Sequence, residues 1–428
     1  MRRFTTSLVA FTLLAAACGS EVAAGGSGGF ITSDLPRAVS DAPAADLAAV
    51  AAAEQAFAAD LYGVLAAGDE NLVFSPLSIH LALAMALGGA KGETATQMES
   101  ALRVAGIDPA KLHAALNGLD AALTSRNRTE PPVGDREQKV QVSVVNSLWG
   151  QEGFAFLSEY LDLLATNYGA GMRLVDFQTA AEEARVAIND WVATETNDRI
   201  TDLIPQGAID ALTRLVLVNA VYLDATWALL FSPDATFDAP FTLLDGSQVT
   251  VPTMHQSIAT LYGAGDGWQA IDLPYTGGEL SLLVVVPDEG RFDDIQAALS
   301  VGLLDQVRAS LAASEVNLSL PKFEIRTQAG LSEALRGLGM TDAFDPNVAD
   351  FSGISTEDQL YVSDVIHEAF IAVDEDGTEA AAATAVILGT TSAPVSMVEL
   401  NVDHPFLFFL QDRATGTVLF VGRVVNPQ

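Results

Sequence analysis

The chain has 428 residues, half of them hydrophobic, enough to build a sizeable core. It carries 21 Lys and Arg against 55 Asp and Glu, a net charge of −34, so partners that need a cationic surface (nucleic acid, heparin-like polymers, anionic lipid) do not fit it. A single cysteine, Cys18, excludes an intrachain disulfide, a two-cysteine redox motif and a cysteine-based metal site.

The N-terminus reads as an address. Arg2 and Arg3 give a positive start, Leu8 to Leu14 is an apolar run too short for a stable span, and "LLAAAC" ends on Cys18. The pattern is similar to a bacterial lipoprotein signal, with residues 1–17 removed and lipid attached to Cys18. Ala15 stands where leucine is more usual, and a plain secretory leader cut at an A-x-A site is the alternative. Residues 18–44 are rich in Gly, Ser, Ala and Pro and read as a flexible tether. The G-x-S-x-G formed by Gly25 to Gly29 lacks the strand and helix of a nucleophile elbow and belongs to this low complexity.

Residues 45–428 read as one domain. "AADLAAVAAAEQAFAADLYGVLAA" has helical spacing. "SPLSIHLALAMALGGA" follows, with Ser75 as N-cap, Pro76 in the first turn, and Gly88 and Gly89 at the end. "GETATQMESAL" opens another helix with Thr94 as candidate cap. "VQVSVVNSLWG", "LVLVNAVYLDATW", "ELSLLVVVPDE" and "VNLSLPKFEI" read as strands from their β-branched content. "LYVSDVIHEAFIAVDEDG" alternates over a long stretch, and "HPFLFFLQDRATGTVLFVGRVVNP" reads as a hairpin about Ala414 to Gly416. Helices dominate the first half and strands the second, an α+β arrangement with large mixed or antiparallel sheets.

No enzyme site is legible. The five histidines, His80, His113, His255, His367 and His404, make no close ligand pair, and no phosphate or dinucleotide loop appears. Neither a metal nor a cofactor is expected.

Together these segments resemble the serpin family of serine protease inhibitors. "NLVFSPLSIHLALAMALGGAKGETATQM", "LVNAVYLDATW", "LPKFEI", "ADFSGIS", "HEAFIAVDEDGTEAAAATAV" and "DHPFLFFLQDRATGTVLFVGRVVNP" follow the family's order. Asp224, Ala225 and Thr226 depart from its usual lysine and glycine before Trp227. The resemblance implies the serpin fold, with about eight or nine helices, large mixed and antiparallel β-sheets and an exposed reactive loop.

It also implies roles. "GTEAAAATAV" resembles the hinge of a loop that, once cut by a protease still held as an acyl-enzyme, inserts as a central strand of the main sheet. Gly377 is the flexible pivot, and Thr378, Glu379, Ala380, Ala381, Ala382 and Ala383 form the hinge. The residues suit insertion independently. One parity reads Thr378, Ala380, Ala382, Thr384, Val386 and Leu388, so the single charge, Glu379, lies on the other face. Counting from Gly377 along the family pattern puts the reactive bond at Thr391-Ser392, with Leu388 as runner-up. The absence of Lys and Arg from Thr378 to Leu400 and the small Thr391 point to an elastase- or subtilisin-like target.

Ser75, Ser78, Asn219 and His367 match the polar cluster that controls sheet opening. Lys322 and Glu375, with Trp227 beside them, match the loop-entry region. The implied partner is a serine protease in covalent complex, on a monomeric, lipid-anchored, extracytoplasmic protein with no turnover site of its own. A non-inhibitory serpin acting as a binding or chaperone-like module is the alternative, which the clean hinge argues against. A serine hydrolase comes third, disfavoured by the missing elbow.

Overall fold

The computed structural model describes residues 28–356, 360–378 and 397–428. In chain order it begins with β1 (Gly28–Ile31), α1 (Ala44–Leu65), β2 (Leu72–Phe74), α2 (Pro76–Leu87), α3 (Gly92–Ala101), α4 (Pro109–Thr124), β3 (Arg128–Val133), β4 (Arg136–Gln151), α5 (Ser158–Tyr168), β5 (Met172–Val175), α6 (Ala181–Glu195) and β6 (Leu215–Thr226). It continues with β7 (Thr236–Thr242), β8 (Gln248–Gly265), β9 (Trp268–Pro274), β10 (Leu280–Pro287), α7 (Phe292–Ala297), α8 (Leu303–Ser310), β11 (Ala312–Pro321), β12 (Phe323–Gly330) and α9 (Ser332–Gly337). Last come β13 (Asp364–Val373), β14 (Gly377–Thr378), β15 (Val398–Asn401), β16 (Phe406–Asp412) and β17 (Val418–Val424).

Two sheets organise these elements. The first is eight-stranded, ordered β1-β5-β4-β6-β14-β13-β12, with β3 on the outside of β4. The second is nine-stranded, ordered β15-β11-β8-β9-β10-β16-β17-β2, with β7 on β8. Helix α2 lies between sheet and helices with every residue buried, which explains why its apolar residues run all round rather than along a stripe. The odd-numbered β6 residues Leu215, Leu217, Val221, Leu223 and Ala225 face this main core. The even-numbered Val216, Val218 and Ala220 face a second core under α6. Alternation thus buries β6 on both faces, and its sequence is correspondingly apolar throughout.

Several expectations change. The flexible tether expected over 18–44 does not hold over residues 28–43. Gly28–Ile31 pairs antiparallel with β5 at the sheet edge, and Arg37 Nε donates to Asn117 Oδ1 at 2.8 Å. Ala38 N donates to Thr166 O at 2.8 Å, and Ser40 Oγ to Ala114 O at 2.8 Å. Backbone pairing and a few polar anchors order a segment whose composition alone predicts coil. Thr94 is not a helix cap. Lys91 occupies that position, and the Thr94 hydroxyl instead accepts from Asp350 N at 3.0 Å. "VNLSLPKFEI" is two strands: β11 ends at Pro321 in the second sheet and β12 starts at Phe323 in the first. Both halves alternate in the same way, so periodicity cannot mark the change of sheet. Ser75 caps α2 as expected, its hydroxyl accepting from Ser78 N at 3.3 Å.

Candidate functional site

The site lies where β6 and β13 diverge. Over Asp364–Ala369 the two strands pair directly and in parallel with Val216–Val221. Above this, β14 sits between them. Gly377 pairs with Thr226 and Thr378 with Ala225 on β6, while Thr378 pairs with Val373 on β13. Both pairings are antiparallel. A two-residue strand is therefore already wedged into the head of the sheet.

The wedge is launched by a tight turn. Asp374 Oδ1 accepts from the backbone N–H groups of Asp376 at 2.9 Å and Gly377 at 3.2 Å, an Asx-type turn. Gly377 is fixed by close approach: a Cβ there would lie 2.0 Å from the Ala225 carbonyl oxygen and 2.7 Å from Thr226 Cα. The glycine expected as a flexible pivot is demanded here by sterics, because only glycine lets β14 reach the β6 backbone.

Trp227 supports the turn. Its backbone N–H donates to Asp376 O at 2.9 Å and its Nε1 to Asp374 O at 2.9 Å. Its ring stacks on Tyr275 with centroids 4.5 Å apart, and the Tyr275 hydroxyl lies 2.6 Å from Thr378 Oγ1. Lys322 and Glu375 form the expected pair at 2.7 Å. Burial pushes the Glu375 carboxyl up, but the Lys322 hydrogen bond and smaller contributions outweigh it and hold the group below the usual carboxylate range. Sequence reasoning missed two participants. Asp376 meets Arg136 at 2.8 Å in a pair whose side chains are 6 % and 2 % exposed. Three consecutive acids in a buried turn were the available signal, since each needs a cation or a proton.

The polar cluster assembles as expected beneath the junction. Ser75 N donates to His367 Nε2 at 3.1 Å, and His367 Nδ1 donates to Asn219 Oδ1 at 2.6 Å. Asn219 Nδ2 in turn donates to Ser78 Oγ and to the Asn146 side chain. Asn146 on β4 is a member that sequence reasoning did not single out. Complete burial pulls the His367 imidazole down to about 3, so the ring is neutral, accepting on one nitrogen and donating from the other. The cluster joins α2, β4, β6 and β13, and Ser75, Ser78, Asn219 and His367 are fully buried in it.

Glu379 to Ala383, the bond Thr391-Ser392, Cys18 and the signal segment 1–17 lie outside the described residues. Among the described residues no group of His, Cys, Asp or Glu could hold a metal ion, and no helix is long and apolar enough to cross a membrane.

Comparison with known proteins gives a consistent result. The family described as Serpin (serine protease inhibitor) matches residues 52–427. An uncharacterized serpin-like protein of Thermococcus kodakarensis is 40 % identical over 87 % of this chain and 84 % of its own length. The leukocyte elastase inhibitor of Xenopus tropicalis is 37 % identical over 83 % of this chain and 93 % of its own. Among solved structures, native tengpin, a thermophilic serpin, matches with a TM-score of 0.78 and 29 % identity over 92 % of this chain and 97 % of that one. Uncleaved ovalbumin matches with a TM-score of 0.78 and 29 % identity over 88 % of this chain and all of that one.

Proposed function

Since this chain belongs to the serpin family of serine protease inhibitors, we propose that it is an irreversible suicide-substrate inhibitor of elastase- or subtilisin-like serine proteases. The observation that carries the reading is the wedge: β14 occupies the head of the gap that an inserting strand must follow. Continuing its register one residue at a time sets Thr384 opposite both Asn219 and His367, and Leu388 opposite Leu215, the first residue of β6. The parity of small and apolar residues therefore ends where the partner strand ends. Because Thr378 faces the core against Tyr275, the same parity delivers Ala380, Ala382, Thr384, Val386 and Leu388 to the core face. Glu379 goes to the opposite face, as insertion requires.

The chemistry is the protease's. Its serine attacks the Thr391 carbonyl, the bond to Ser392 breaks, the new amino group at Ser392 leaves, and an ester to Thr391 remains. Insertion then separates β6 from β13 and carries the esterified enzyme away from the bait end before water can attack. Thr391 is small and β-branched, which suits a shallow primary pocket, and the leukocyte elastase inhibitors among the relatives agree with that class. Attachment of the mature chain to the cell envelope through lipid on Cys18 is part of this proposal, and mass analysis of the native N-terminal peptide tests it.

The decisive test mixes the chain beginning at Gly28 with an elastase and, separately, with a subtilisin. A complex at the summed mass on a denaturing gel, plus a released peptide beginning at Ser392, is expected. Cleavage without a complex would favour the non-inhibitory reading instead.

A further inference from the structure

The turn below β14 places Asp374, Glu375 and Asp376 side by side, all at least partly buried. Like charges this close in a poorly solvated turn repel, and burial raises the carboxyls of Asp374 and Asp376. Two cations answer them in different ways. Lys322 reaches Glu375 from the surface side, with its side chain 35 % exposed. Arg136, at the start of β4, reaches Asp376 from inside. Its Nη1 also donates to Phe231 O at 2.8 Å, and Phe231 N donates to Glu375 O at 3.0 Å. Arg136 thus ties the turn to β4 and to the segment after Trp227 at once.

We infer that Arg136, through Asp376, holds the loop's pivot in register and so sets whether a cut loop inserts before the acyl-enzyme is hydrolysed. The inference rests on the inhibitor reading above. Its logic is a race. Among the described residues β14 contributes Gly377 and Thr378 to the ladder, too short a strand to hold its register alone. The contacts from Trp227 to this turn go to backbone carbonyls and leave the acidic side chains to other partners. The Lys322 pair is reached by solvent on its lysine side and is partly screened. The Arg136 pair is dry, so deleting one partner leaves an uncompensated buried charge. Arg136 is a positioning residue: it acts on the loop through Asp376 and the turn.

The test compares Arg136→Gln, Arg136→Lys, Asp376→Asn and Lys322→Gln in the mature chain. One readout is amide hydrogen exchange at Thr378. The other is the share of cut inhibitor that ends in covalent complex, measured beside the rate of first cleavage. Arg136→Gln should speed Thr378 exchange roughly tenfold and shift cut molecules toward free product several-fold, with the first cleavage rate unchanged. Arg136→Lys should restore part of both, and Lys322→Gln should have the smaller effect. If Arg136→Gln fails to fold, Asp376→Asn carries the same test, because it removes the charge with little change in volume. Unchanged exchange in both, or faster exchange with an unchanged partition, would overturn the inference. If the parent traps no protease, the inhibitor reading fails on its own, and Thr378 exchange still decides whether Arg136 holds the pivot.

Discussion

Gly377 is the position where a single hydrogen atom matters. Its Cα faces the β6 backbone closely enough that a methyl group would meet a carbonyl oxygen and a Cα, not a yielding side chain. Overpacking against side chains costs about 1–3 kcal/mol, and rigid backbone offers less relief. Gly377→Ala is therefore expected to lower stability in urea unfolding by at least that much and to drive β14 from the sheet. A variant as stable as the parent would show that the wedge is not held closely. At the same scale, the neutral His367 ring is a consequence of burial. It needs one donor and one acceptor, and Ser75 N and Asn219 Oδ1 supply them.

At the scale of elements, the register of β14 makes a strict forecast. An inserted loop that extends it brings Val386 opposite Leu217. A chain with Val386→Cys, Leu217→Cys and Cys18→Ser should form a disulfide under mild oxidation after cleavage and not before it. Bridging in the intact chain, or none in the cut chain, would refute the register, since a slip of one residue turns every side chain to the other face. The forecast also explains the cluster's position. Under this proposal Thr384 is the polar residue that an inserted loop would bring to Asn219 and His367, replacing hydrogen bonds that separating β6 from β13 would leave broken.

For the whole molecule, buried titratable groups set the pH response. Burial lowers His367 to about 3 and both His80 and His113 to about 4, from an ordinary value of 6.5. The unfolded chain binds these protons first, so the stability they contribute is complete above pH 6.5 and is lost as pH falls. Each is worth about 1.4 kcal/mol per pH unit. Glu54 has the opposite sign. Burial raises it from 4.5 to about 8, so the folded chain keeps a proton that the unfolded chain releases. Near pH 5 these four groups together leave the unfolded chain about two protons richer, on the order of 3 kcal/mol per pH unit, and the raised carboxyls of Glu368, Asp374 and Asp376 subtract from that. Above pH 6.5 Glu54 makes stability decline gently, and His404, raised by its hydrogen bond to Asp403, adds the same sign. Urea unfolding at pH 5 and pH 7 tests this, and equal midpoints would contradict the buried neutral histidines.

The sequence by itself determined the elements and the family pattern. Long apolar periods, the Ser75-Pro76 cap and the loop's parity are local facts that a short stretch of chain carries. It also supplied Ser75, Ser78, Asn219 and His367 of the polar cluster, though not Asn146, and the Lys322–Glu375 pair, through the family motifs they sit in. What it did not carry is adjacency. The break at Lys322 between two sheets, the pairing of Gly28–Ile31 with β5, the contact of Arg136 with Asp376 and the steric demand on Gly377 join residues far apart in the chain. Each depends on which backbone passes within a few ångströms of another. Tertiary packing decides that distance, because burial rewards the arrangement of faces as a whole while local pattern fixes only which face each residue takes.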